Sequence, residues 1–61
     1  MTLEVTTVSL FEREEIRNYA TKNPITIDRL DAMVWNLEGE NENCDKLADF
    51  LDEKNIAWRF V

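Results

Sequence analysis

The chain has 61 residues, 44% of them apolar, and a net charge of −6 at pH 7. At that length it forms one small domain, residues 1–61, with a thin core. Its single cysteine, Cys44, excludes an internal disulfide. With no histidine beside it, a structural zinc site has no ligand set. The charge opposes nucleic acid and anionic membranes and favours a basic partner surface.

The negative charge is local. Residues 38–53 contain Glu38, Glu40, Glu42, Asp45, Asp49, Asp52 and Glu53 against one base, Lys46, and the rest of the chain is neutral. No apolar run approaches the length that spans a bilayer. The start, Met1-Thr2-Leu3-Glu4, lacks the basic and apolar regions of a signal peptide. A lone thiol suits a reducing compartment, so a cytoplasmic location is expected.

Residues 2–8 are rich in β-branched side chains, with Leu3 and Val5 alternating with Glu4 and Thr6, which predicts a half-buried strand. Ser9-Leu10-Phe11-Glu12 has the form of a capping box and opens a helix to about Thr21. Its expected apolar face is Phe11, Ile16, Tyr19 and Ala20. Pro24 ends it at or before Asn23. Thr26 is a plausible cap for a second helix, Ile27 to Glu38, whose stripe is Ile27, Leu30, Met33, Val34 and Leu37. Gly39 sits where a left-handed stop residue belongs. Asn43 can cap a third helix, Cys44 to Lys54, with Cys44, Leu47, Ala48 and Leu51 inward and Asn55 as its left-handed stop. Ile56, Trp58 and Phe60 alternate with Ala57, Arg59 and Val61 in a final strand.

The expected fold class is therefore α+β. Three short helices are flanked by N- and C-terminal strands that pair with each other, in the order β-α-α-α-β. The alternative is an all-α three-helix domain, helix-turn-helix-like in shape.

Enzymatic chemistry is not expected, because no histidine is present and Gly39 is the only glycine available to a phosphate loop. Cys44, on the apolar face of its helix, is expected to be a buried core residue. Residues 38–45 gather oxygen ligands without the spacing of an EF-hand, and a solvated acidic loop explains them better. No cofactor or metal is expected.

Two features point to protein–protein interaction. Glu42, Asp45, Asp49, Asp52 and Glu53 share the outer face of the third helix, and Asp28, Asp31 and Glu38 share that of the second. Rows of carboxylates at helical spacing can serve to hold a basic partner, or to imitate a phosphate backbone. Trp35 falls off the apolar stripe of its helix, among those acids, and is a candidate interface anchor. The expected function is a small acidic interaction module, an adaptor or inhibitor of the kind common in phages and mobile elements. The alternative is a structural or regulatory homo-oligomer such as a homodimer. Helix-turn-helix-type nucleic-acid binding ranks lower, because the outer face of the last helix would oppose phosphate.

Overall fold

The computed structural model describes all 61 residues. The order is β1 (Thr2–Thr6), α1 (Leu10–Lys22), β2 (Thr26–Arg29), β3 (Val34–Glu38), α2 (Asn41–Glu53) and β4 (Ala57–Phe60). The strands form one antiparallel sheet in the order β2-β3-β1-β4. β3 lies between β1 and β2, and β1 lies between β3 and β4, so each helix crosses over one inserted strand. This is the split β-α-β, or ferredoxin-like, layout, which hosts many unrelated functions.

The terminal strands do pair, with Leu3 opposite Phe60 and Val5 opposite Trp58. The three-helix expectation fails, and so does its all-α, helix-turn-helix-like alternative. Residues 27–38 are not a helix but two strands and a turn. Thr26 therefore caps nothing and begins β2, where it stands opposite Glu38. Ile27, Leu30, Met33, Val34 and Leu37 satisfy a helical period, but Trp35 and Leu37 also satisfy the period of a strand. The strand wins because β1 offers β3 a partner with matching alternation. Leu3 stands opposite Leu37 and Val5 opposite Trp35, and all four are buried. A turn chemistry that the helical pattern conceals closes the hairpin. Asp31 Oδ1 accepts from the backbone N–H groups of Met33 (2.7 Å) and Val34 (2.9 Å), an Asx-type turn.

α1 begins as its capping pattern predicts. Ser9 Oγ accepts from Glu12 N–H at 3.2 Å, and Glu12 Oε1 accepts from Val8 N–H at 2.9 Å. Asn23 closes it, its backbone and side-chain N–H groups both donating to Tyr19 O. Only Ile16 is fully buried on α1. Tyr19 and Ala20 pack at the margin, and Phe11 is exposed, against expectation. α2 starts earlier than expected, at Asn41. Glu40 is its N-cap without a side-chain bond, and Asn43 lies within the first turn. Asn55 does adopt the left-handed conformation, at φ 59°. Gly39 does not.

Both helices cover the same sheet face. Ile16 of α1 and Cys44, Leu47, Ala48 and Leu51 of α2 close over Leu3, Val5, Trp35 and Leu37, with Ile25 and Ile56 at the rims. α1 lies over the β2 side and α2 over the β4 side. Tyr19 and Phe50 stack between the helices, with ring centroids 4.6 Å apart. Cys44 is buried, and its Sγ–H lies 3.4 Å from Met1 O.

Candidate protein-interaction surfaces

The inner face of α2 is fixed by its four buried side chains, so its outer face has fixed geometry too. Glu42, Asp45, Asp49, Asp52 and Glu53 are all exposed there. Glu42 meets Lys46 at 3.8 Å, one turn on, and Asp52 Oδ1 accepts from Trp58 Nε1–H at 2.8 Å. Trp58 thereby ties β4 to the end of α2. Burial raises the Tyr19 hydroxyl above its ordinary pKa of 10.0, and the carboxylate of Asp49 adds to the effect. The last turn of α2 contains no base, although Asp52 and Glu53 stand there against the negative end of the helix dipole.

The other three predicted acids are elsewhere. Asp28 and Glu38 belong to β2 and β3, on the sheet face away from the helices, since they alternate with the helix-facing Ile27 and Leu37. Asp31 closes the hairpin turn, and the two amides it accepts hold its carboxyl below the ordinary value of 3.8. The eight acids are all exposed, but they occupy three surfaces instead of one wall. A phosphate-like array made of two helical rows therefore loses one row. Trp35 is corrected more sharply. It is 2% exposed, within the core, and cannot anchor a partner by projecting from the surface.

The open sheet face carries a cross-strand row, Asp28–Asn36–Glu4–Arg59. Arg59 Nε donates to Glu4 Oε1 at 2.9 Å. Asn36 Oδ1 is buried without a partner between its acidic neighbours. Between the helices an open cleft of about 230 Å³ is lined in part by Tyr19, Phe50, Lys22 and Lys54, with Lys54 3.3 Å from Glu15. No group of three or more Cys, Asp or Glu is placed to hold a metal ion.

One feature escapes the sequence. Val8, Leu10, Phe11, Leu30 and Met33 are all at least 45% exposed. They lie at one end of the sheet, on the β1–α1 loop, the start of α1 and the β2–β3 turn. Thr7 joins the two segments, donating to Met33 O through its N–H (2.8 Å) and its hydroxyl (3.0 Å). Large apolar side chains exposed at one end of a fold are candidates for an interaction site. Leu30 and Met33 are invisible to a helical assignment, which places both in a core stripe.

No protein-family model, curated protein or solved structure matches the chain.

Proposed function

We propose that the chain is a small non-catalytic interaction module that docks a basic surface of a larger protein on the outer face of α2. The observation that carries this is a solvent face with five carboxylates and one base, on a helix whose inner face is locked into the core. Two of those acids, Asp52 and Glu53, sit at the helix end where the dipole disfavours them. Places where a chain breaks a local stability rule are where functional demands are expected. A fixed acidic face speeds and selects encounter with a basic partner more than it adds affinity.

Affinity capture from source-cell lysate tests the proposal, using the wild type beside Asp45→Asn/Asp49→Asn/Glu53→Gln. All three side chains are exposed, so circular dichroism should show an unchanged fold. The expected result is a basic protein that is retained at physiological salt, held more tightly at low ionic strength, released at high salt, and lost by the neutralised variant. Capture indifferent to both salt and neutralisation would remove α2 as the binding face.

A further inference from the structure

The three ion pairs of the chain use Lys46, Lys54 and Arg59. The other three arginines, Arg13, Arg17 and Arg29, have no carboxylate partner in a chain with 13 acids. They are not scattered. Arg17 of α1 and Arg29 at the end of β2 lie over the ring of Trp35, their Cζ atoms 5.9 and 5.1 Å from its centroid. Arg13 is one helical turn before Arg17, and its Nε donates to Thr7 Oγ1 at 3.0 Å, the hydroxyl that itself donates to Met33 O. Two elements and two connections thus converge on one basic cluster at the β2 side, away from α2. Leu30 (54% exposed) follows Arg29 in the chain, and Met33 (45% exposed) is joined to Arg13 through the Thr7 hydroxyl. Beneath the arginines, the Trp35 Nε1–H is buried and has no acceptor.

We infer that this cluster is the docking site of a short acidic protein segment that carries an apolar side chain among its carboxylates. A guanidinium held over an aromatic ring at cation–π distance and without a carboxylate of its own retains N–H donors that match a carboxylate in a two-bond fork. Leu30 and Met33 provide the apolar contact that charge alone lacks, since exposed ion pairs contribute little by themselves. A long polyanion suits the site poorly. Beyond the three arginines it would meet carboxylates, with Glu12 and Glu14 flanking Arg13 in the chain and Asp31 two residues past Arg29. A short segment stays within the cluster. This surface is separate from the α2 face and stands whether or not that face binds a partner.

The test is selection of a displayed random peptide library on the full chain at low ionic strength. The synthesised winner is then titrated by fluorescence anisotropy. Selected peptides should combine Asp or Glu with Leu, Ile or Phe. Arg17→Ala/Arg29→Ala should weaken the winner by about ten-fold or more, as expected when charge-assisted bonds are lost. Arg17→Lys/Arg29→Lys, which keeps the charge and loses the planar fork, should fold like the wild type and still bind more weakly. Asp45→Asn/Asp49→Asn should bind as the wild type does. The indole N–H resonance of Trp35 should shift on titration, while that of Trp58 stays in place. Selection of basic peptides, or affinity unchanged in both arginine variants, overturns the inference. So does tighter binding of a short single-stranded oligonucleotide than of any peptide. Self-association abolished by the arginine variants, with no peptide enriched, also overturns it, because the occupant would then be a second copy.

Discussion

Gly39 is held by space and not by conformation. Its φ is not positive, but a Cβ there would stand 2.9 Å from Ile25 Cδ1 and 3.1 Å from the carbonyl oxygen of Pro24. The methyl group can rotate away and the backbone oxygen cannot. Gly39→Ala should therefore destabilise by about 1–3 kcal/mol, the usual cost of overpacking, read as a lower urea midpoint with an unchanged slope. Asp31 offers a second check at this scale. Its carboxyl pKa is lowered by the Met33 and Val34 amides, so the folded state favours the ionised form. The stability this contributes is present above the ordinary value of 3.8 and is lost as pH falls through the lower, folded value. Asp31→Asn retains an acceptor for the turn and removes the titration. Its melting temperature should fall less steeply on acidification below about pH 4 than that of the wild type, while Asp31→Ala should be less stable at neutral pH as well.

At the scale of elements, β1, α1, α2 and β4 are legible because each carries a signal that only one structure satisfies. For α1 these are a cap at Ser9 and a stop at Pro24, and for α2 an inner face whose four apolar residues recur at helical spacing. The segment 26–38 carries two periods at once, and nothing local decides between them. Trp35 held the clue, since a residue that breaks a helical stripe while standing two positions from Leu37 is in phase for a strand. The decision rests with β1, whose Leu3 and Val5 complete the pairing from thirty residues away. A helix over that segment also misplaces Asp28, Asp31, Glu38 and Trp35, four of the nine residues expected to bind. Asp45, Asp49, Asp52 and Glu53 are exposed on α2 as its apolar spacing implies, and Glu42 joins them because the helix starts at Asn41 and not at Cys44. Stability distinguishes the two structures directly. If residues 27–38 were a helix, Met33 and Leu37 would share its core stripe. In the sheet, Leu37 is fully buried and Met33 is an exposed turn residue. Leu37→Ala should cost about 2–5 kcal/mol, and Met33→Ser should stay within about 0.5 kcal/mol, both measured by equilibrium denaturation.

At the scale of the whole molecule, charge is distributed against stability. The helix layer carries its acids on α2 over the β4 side and its unpaired arginines on α1 over the β2 side, so the two do not neutralise each other. Along α2, Asp45, Asp49 and Glu53 repeat at four-residue spacing, where like charges oppose the helix by a few tenths of a kcal/mol per pair. The last turn adds acids at the wrong end of the dipole. Glu53→Lys relieves both effects, and should stabilise by about 0.3–1 kcal/mol, a rise of a few degrees in melting temperature for a chain of this size. Because the repulsion it removes is electrostatic and exposed, the gain should shrink as salt rises, while the melting temperature of the wild type climbs towards that of the variant. The same substitution should weaken capture of a basic partner and leave binding at the Arg17–Arg29 cluster unchanged. A variant that is more stable yet binds its partner less well would show that the acids of α2 are placed for recognition at the expense of the fold. A variant that gains no stability would show that Glu53 is already compensated within the domain.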